Sequence, residues 1–305
     1  MAAGGGSKAI LAAFLANLGI AIAKFVGFVV TGASSMLAES IHSLADAGNQ
    51  SLLMLGQRLA RREATERHAF GYGRERFFWA FVVALVLFTL GSIFSIVEGV
   101  EKILHPEPLG DLRWAIGILV GGILLESWSF RTAIVEANQV RGRASWTEFI
   151  RHSRAPELPV VILEDAGALF GMVIALAAVS LAAWTGNPCW DGAGTVTIGV
   201  LLGVIAVVLA YEMKSLLIGE SATPQDRARI EETLANAPKV VRVVRFRTQH
   251  IGPEELLVGA RVEFQAGLTT TEIARAIDDI EASLHEAIPY VGPIYIEPEL
   301  PRSGD

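Results

Sequence analysis

The sequence predicts a membrane protein whose fold is an all-α bundle of six transmembrane helices, followed by a small α+β domain. Of its 305 residues, 52% are hydrophobic and only 19% are charged. A charged fraction near 25% is usual for soluble domains, so this composition favours a chain that spans a membrane. From about Ser221 onward the composition changes, and charged residues alternate with apolar ones as they do in a soluble domain.

Six windows of mainly apolar sequence are long enough for helices that cross the hydrocarbon core, which takes about 20 residues. The connections after the second and fourth windows are rich in arginine, whereas TGASS and TGNPCWDG contain no Lys or Arg. The positive-inside rule therefore predicts that both arginine-rich loops and both termini are cytoplasmic. The start of the chain lacks a transit-like leader, so we expect a bacterial plasma membrane. The windows are residues 9–31, 35–57, 77–100, 113–136, 158–184 and 193–217.

The carboxyl-terminal segment is predicted to fold in the order helix, strand, strand, helix, strand. Thr223 followed by Pro224 is a helix start signal, and Gly252 with Pro253 indicates a turn between two strands. The last helix has apolar residues at helical spacing, and VGPIYIEPEL reads as the final strand. We therefore predict a transmembrane domain over residues 1–218 and a soluble α+β domain over 219–305.

Composition also limits the chemistry of the chain. Its one cysteine, Cys189, excludes an internal disulfide and a thiolate zinc site, so metal binding would use His and carboxylate ligands. The formal charge of −7 gives no basic surface for nucleic acid, and we expect no nucleic-acid partner. Nothing in the sequence requires a cofactor.

The second window contains the polar stretch LAESIHSLADAGNQ. His42 and Asp46 are four residues apart, so on a helix they lie on one face, one turn from each other. Glu39 is on the same face and could be a ligand or a gate residue, and Asn49 could hydrogen-bond across helices or touch an ion. Ionisable residues inside a membrane are costly, so we expect this face to line protein or a water-filled cavity.

The fifth window contains Glu164 and Asp165 in the sequence VVILEDAGALFG. Neighbouring positions differ by about 100° around a helix, so one of the two should point at a shared site and the other should lie beside it. If the second and fifth helices meet, an imidazole and carboxylates surround one small cavity, which suits a divalent transition metal. Imidazole with carboxylate favours zinc and leaves cobalt, iron and manganese open.

Such a site would exchange a metal ion for protons. Carboxylates close together in a dry cavity bind protons when it is empty, and a bound dication expels them. This competition is the basis of an antiporter if the site opens to each side in turn. Lys24 in the first window and Glu126 in the fourth could pair with each other or belong to a proton path.

These motifs resemble the cation diffusion facilitator family. The stretches that carry the resemblance are LAESIHSLADAGNQ, HAFGYGRER, VVILEDAGALFG, TGNPCWDGAGTVTIGVLLG and GPIYIEPEL, and together they are most similar to the zinc transporter 9 branch. The resemblance implies six transmembrane helices, a cytoplasmic ferredoxin-like domain and a homodimer. It also implies zinc export driven by inward proton movement.

The family's paired ligands of the second helix fall on His42 and Asp46. In the fifth helix the family pattern is His, three residues, Asp, and its Asp matches Asp165, but its His position is Val161. Glu164, Glu39, Asn49 or water would then complete the ligand set.

Two auxiliary metal sites of the family lack most of their ligands here. In the loop after the second helix only His68 remains, with Thr65 and Tyr72 at the other places. In the soluble domain the corresponding positions are Val244, Arg261, Tyr295 and Glu297. We therefore expect this domain to bind little metal and to serve dimerisation.

Three functions compete at this point. The first is a secondary transporter that exports a divalent metal, most of all Zn²⁺, in exchange for protons, and it is not an enzyme. The second is an intramembrane metalloenzyme, which usually carries a motif such as HExxH that this sequence lacks. The third is a sensor or scaffold, which would need a preserved ligand site after residue 221.

Overall fold

The computed structural model describes residues 5–31, 34–106, 112–142, 144–153 and 155–299. Within these ranges the side chains of residues 5–9, 24, 27, 28, 30, 31, 34–42, 45, 112–115 and 152 are not described. The described residues fall into two compact units. One lies within residues 1–59 and 75–214, and the other within 60–74 and 215–305.

All six predicted apolar windows lie within helices. The third window is one continuous helix, Glu75–Leu104, in which a π-helical segment (Leu87–Ile93) joins α3 to α4. The helices of this part of the chain are α1 (Gly5–Thr31), α2 (Ser34–Ala60), α3 (Glu75–Val86), α4 (Phe94–Leu104), α5 (Leu112–Arg141), α6 (Trp146–His152), α7 (Glu157–Thr185) and α8 (Cys189–Ile218).

Four of the described helical stretches are long and apolar enough to cross a membrane: Glu75–Leu104, Ile116–Arg141, Glu157–Thr185 and Cys189–Ile218. The described apolar stretch of α1, Ile10–Ala23, is shorter. Large apolar side chains are exposed on these spans, among them Leu124, Trp184 and Tyr211. Such a surface fits contact with lipid, because in water it would be a large unfavourable patch.

Two features of the helical part were not predicted from the sequence. The connection before the fifth window contains the short helix α6, which begins with a capping box formed by Ser145 and Glu148. The π-helical segment interrupts the third window at Gly91 and Ser92, which are both buried. Neither feature changes the hydropathy of its segment, which is why the apolar pattern alone did not indicate it.

The continuous helix of α3 and α4 packs closely on α8 through glycines. A Cβ atom at Gly99 would lie 2.7 Å from the backbone nitrogen of Val196, and one at Gly199 would lie 3.0 Å from the carbonyl oxygen of Ser92. Small residues at such positions let two backbones approach, which is how helices associate inside a membrane. Elsewhere in the bundle α5 packs against both α1 and α7.

The second unit has the predicted order of helix, strand, strand, helix, strand. Its elements are α9 (Pro224–Ala235), β1 (Val240–Gly252), β2 (Glu255–Phe264), α10 (Thr270–Ala287) and β3 (Val291–Glu299). The sheet order is β1-β2-β3, in which β1 and β2 are antiparallel and β2 and β3 are parallel. The parallel pair follows from α10, which forms the crossover between its strands. The predicted α+β fold is thus confirmed.

Both helices of the second unit begin at side-chain caps. Thr223 accepts a hydrogen bond from the backbone N–H of Asp226, with Pro224 following as the first helical residue, as predicted. Thr269 and Glu272 form a capping box at the start of α10. Hydrogen bonds from the backbone N–H and the hydroxyl of Thr269 lower the pKa of Glu272. The core between the helices and the sheet includes Ile230, Leu234, Phe246, Leu256, Val258, Ile280 and Leu284.

Candidate metal centre

Helix α2 meets α7 through a buried cluster of polar side chains. Asn49 Nδ2 donates to Glu164 Oε1 at 2.9 Å, and Gln50 Nε2 donates to Glu164 Oε2 at 2.7 Å. All three residues are buried. The amides of two consecutive residues on α2 therefore hold both oxygens of one carboxylate on α7.

Helix α2 buries polar side chains and exposes some apolar ones. Ser43, Asn49 and Gln50 are buried beside Ala47 and Leu53, whereas Leu44 and Leu55 are exposed. Buried polar side chains together with exposed leucines are expected where lipid surrounds the protein and the polar residues line a functional site.

The second acid of α7 has a different neighbour. Asp165 is buried, and its Oδ2 accepts a hydrogen bond from the hydroxyl of Ser129 on α5 at 2.8 Å. Glu164 thus faces α2 and Asp165 faces α5, as the angle of about 100° between adjacent helical positions requires. The two acids are held by different helices.

Asp46 brings a third carboxylate to this interface. It is half-buried on α2, one turn before Asn49 and Gln50, and its charge repels those of Glu164 and Asp165. Among the described residues, no group of three His, Cys, Asp or Glu side chains comes close enough to hold a metal ion. The three acids are therefore electrostatic neighbours that do not already form a coordination shell.

Several buried oxygen atoms of this cluster have no hydrogen-bond donor among the described residues: Asn49 Oδ1, Gln50 Oε1 and Asp165 Oδ1. Buried acceptors without a partner are rare in native proteins and costly, at about 1–3 kcal/mol each. Amide and carboxylate oxygen atoms are also ligands for cations. These buried oxygen atoms on α2 and α7 therefore fit a positively charged guest.

Some predicted site residues lie outside the described part of the structure. The side chains of Lys24, Glu39 and His42 are among those not described, so their roles stay predictions. Glu126 is buried on α5, three residues before Ser129, and its predicted pairing with Lys24 likewise stays a prediction.

Sequence reasoning missed Gln50 and Ser129 as site residues. Gln50 follows Asp46 by four residues, as Asp46 follows His42, so all three share one helix face. This spacing could have identified Gln50 as a site residue. No sequence pattern indicated Ser129, because a serine inside an apolar helix commonly bonds its own backbone.

A largely buried ion pair joins α3 to α7. Arg76 donates two parallel hydrogen bonds to Glu157: its Nε contacts Oε1, and its Nη2 lies 2.8 Å from Oε2. Glu157 is 1% exposed and Arg76 is 16% exposed, so the pair is largely removed from solvent. On the same surface of α3, the Cβ of Trp79 would lie 3.0 Å from a Cβ at Gly56 of α2. The first turns of α3 and α7 are thereby fixed to each other.

Two of the soluble-domain positions expected to have lost auxiliary metal ligands, Arg261 and Glu297, bind each other. In the sheet, Arg261 binds Glu297 through two hydrogen bonds of 3.0 and 2.5 Å and lies 3.1 Å from Glu299. The hydrogen bond to Glu297 raises the pKa of the Arg261 guanidinium further. A carboxylate engaged by a guanidinium is a poor metal ligand, since a cation would have to displace the arginine.

The loop positions expected to have lost metal ligands also contact one another. Thr65 Oγ1 lies 3.4 Å from the hydroxyl of Tyr72, and the backbone N–H of His68 donates to Thr65 Oγ1 at 3.2 Å. The rings of His68 and Tyr72 are 4.7 Å apart. The three residues therefore contact one another, and only His68 among them is a metal ligand of the usual kind.

We therefore predict that the purified protein retains one divalent metal ion through dialysis, in the cluster between α2 and α7. The Asp46→Asn, Asp165→Asn double variant should retain none after dialysis, because the sheet and loop positions offer no second complete ligand set. Elemental analysis of metal per chain measures this. Two or more ions per chain in the wild type, or a retained ion in the double variant, would contradict the assignment.

A bundle of helices that are long and apolar enough to cross a membrane, and that buries acids and amides in its interior, defines an integral membrane protein. The family model for the cation efflux transmembrane domain matches residues 10–218. The chain belongs to this family, the cation diffusion facilitators, and within it to the zinc transporter 9 branch.

Several named relatives support this placement. The human protein named proton-coupled zinc antiporter SLC30A9, mitochondrial, is 32% identical over 271 residues, which cover 87% of this chain and 47% of the relative. Metal tolerance protein C4 of Arabidopsis thaliana is 30% identical over 259 residues, covering 84% of this chain and 57% of the relative. The chain thus spans about half the length of these relatives.

More distant matches are also found. Zinc transporter ZitB of Pectobacterium atrosepticum is 25% identical over 257 residues, covering 83% of this chain and 74% of the relative. Among solved structures, a MamM CTD structure is 15% identical to this chain, with a TM-score of 0.25. The match covers 26% of this chain and 100% of the MamM CTD chain.

Proposed function

We propose that this chain is a secondary transporter that exports a divalent metal cation from the cytoplasm in exchange for protons. Zn²⁺ is the proposed main substrate. The observation that carries the proposal is the buried polar interface of α2 and α7. There the acids Asp46, Glu164 and Asp165 are electrostatic neighbours within a bundle of membrane helices. Family membership supports the same reading, as does the printed name of the human relative.

The proposed ligands are His42, Asp46 and Asp165, with Glu164 completing the set. Asp165 brings an oxygen with no donor among the described residues, and the amides of Asn49 and Gln50 orient Glu164. Glu39, Lys24 and Glu126 are proposed to serve the path of metal or protons. Acids that repel each other when the site is empty bind protons, and a dication replaces those protons, so metal and proton compete for one site.

Zinc is the preferred ion because His42 supplies an imidazole nitrogen and the relatives are named for zinc. At Val161, where a second imidazole would face the site, the side chain is apolar and fully buried. A ligand set dominated by oxygen keeps Mn²⁺, Fe²⁺ and Co²⁺ as alternative cargo for the same fold. An intramembrane metalloenzyme is disfavoured because the sequence lacks HExxH.

We further propose a homodimer in which residues 219–305 mediate association, and an orientation with both termini in the cytoplasm. The arginine-rich loops support this orientation through the positive-inside rule. A bacterial plasma membrane is the proposed location, with residues 1–218 as the transmembrane domain.

Reconstitution tests the proposal directly. Purified chain in liposomes that enclose a zinc-sensitive dye should show zinc entry when the lumen is acidic relative to the outside, and the flux should collapse when a protonophore removes the pH gradient. Protein-free liposomes are the control. A competition series with Mn²⁺, Fe²⁺ and Co²⁺ ranks the ions. Wild-type protein that carries none of these ions under any gradient would refute the proposal.

A further inference from the structure

The contact between α2 and Glu164 has a geometry that simple helix packing does not require. A glutamate side chain has three rotatable bonds, so a buried carboxylate held at only one oxygen can still turn. Here each oxygen of Glu164 receives its own N–H donor, from Asn49 at 2.9 Å and from Gln50 at 2.7 Å. Two separate donors fix both the position and the plane of the carboxylate.

The other ends of the same two amides have no partner in the part of the chain that the structure describes. Asn49 is 3% exposed and Gln50 is 0% exposed, yet Asn49 Oδ1 and Gln50 Oε1 have no hydrogen-bond partner among the described residues. Each amide thus directs its N–H₂ group at Glu164 and leaves an acceptor in the interior. A pair kept only for packing would be expected to satisfy both ends, as buried amides normally do.

We propose that Asn49 and Gln50 are positioning residues for metal binding, which hold Glu164 as the oxygen ligand that α7 offers in place of a second imidazole. This inference rests on the proposed function, since it concerns the site that binds the transported cation. Hydrogen bonds from two neutral amides orient the carboxylate without adding a competing positive charge.

Helix geometry explains why the Glu164 carboxylate must be oriented by donors on another helix. Asp165 is the neighbouring residue, about 100° away around α7, and it points at Ser129 of α5. Glu164 can contribute to the same cation only if its longer side chain is bent toward the region that Asp46 and Asp165 share. Donors at two consecutive positions of α2 provide this fixed direction, because residues 49 and 50 reach different oxygens of one carboxylate.

The variant Gln50→Met tests the proposal, since methionine keeps the length of the side chain and removes the donor. We expect its zinc dissociation constant, measured by titration calorimetry on full-length protein in detergent, to rise about tenfold, the effect of losing a charge-assisted hydrogen bond. In liposomes the half-saturating zinc concentration should rise by a similar factor while the maximal rate changes little. Ser51→Ala, at an exposed neighbouring position of α2, is the matched control and should match the wild type.

A double-mutant cycle separates positioning from general packing. If Gln50 acts through Glu164, adding Gln50→Met to Glu164→Gln should not weaken zinc binding further, whereas independent effects would multiply. Wild-type affinity in Gln50→Met, or multiplied losses in the double variant, would overturn the proposal. If Gln50→Met does not fold, Asn49→Leu removes the donor to the other oxygen and must give the same non-additivity.

Binding and transport are measured separately so that the two proposals fail separately. Zinc binding that Gln50→Met weakens, in a protein that moves no ion in liposomes, would support the positioning role and refute transport. Proton-driven flux with normal zinc affinity in Gln50→Met would support transport and overturn the positioning role.

Discussion

Replacing either Asp46 or Asp165 by asparagine should reduce proton-driven zinc flux by more than roughly a hundredfold. Losing a mere outer partner of a metal ligand already costs about 10–100-fold, and these changes remove a proposed ligand itself. Each also removes a carboxylate that would bind protons in the empty state. Asparagine has nearly the same shape as aspartate, so the fold should persist.

The measurement is the initial rate of dye-reported zinc entry into liposomes at a fixed pH gradient, normalised to the amount of inserted protein. Asp278→Asn on the exposed surface of α10 carries the same chemical change and should transport normally. Flux within twofold of the wild type in Asp46→Asn or in Asp165→Asn would remove the substituted residue from the site.

The two acids need not respond alike to a milder change. Asp165 is buried and Ser129 holds its Oδ2, whereas Asp46 is half-buried. Extending the side chain by one methylene, as glutamate, is therefore less tolerable at residue 165, where the surroundings are closely packed. The Asp46→Glu variant should accordingly keep more flux than Asp165→Glu, and equal losses would argue against this difference in packing.

The sequence was sufficient to predict the elements whose signals are local. Apolar length predicted all six helical windows, and alternation with turn residues predicted the strands and helices of the second unit. The acids Glu164 and Asp165 were recognised because an ionisable residue in an apolar window is costly and therefore rare. Helix α6 and the π-helical segment were missed because they alter backbone geometry without altering hydropathy.

Partners that are distant in the sequence could not be predicted. Gln50 contacts a residue 114 positions away, and neutral amides occur too widely to attract attention on their own. Arg76 and Glu157 are 81 positions apart, and each lies beside a charged loop where a solvated residue is the ordinary expectation. Only the packing of α3 against α7 shows that the two charges are buried together.

That buried pair leads to the second large effect, which is on stability. Arg76→Met should destabilise the protein by about 3–5 kcal/mol, because it leaves the carboxylate of Glu157, 1% exposed, without its cation. Glu157→Gln instead removes the negative charge of the pair. The double variant Arg76→Met, Glu157→Gln should recover most of the loss, since the cost comes from an unpaired buried charge rather than from the missing attraction.

Thermal unfolding in detergent, followed by tryptophan fluorescence, measures these changes. The same substitution at an ion pair with an exposed arginine is the matched control. Arg242 is 57% exposed and lies 2.7 Å from Glu263, which is 14% exposed, so Arg242→Met should cost less than Arg76→Met. Glu157 lies seven residues before Glu164 on α7, about 10 Å along the helix, so the pair anchors the helix that carries both acids. If Arg76→Met unfolds no more easily than Arg242→Met, the ion pair does not stabilise the bundle, and the anchoring of α7 must come from its apolar contacts.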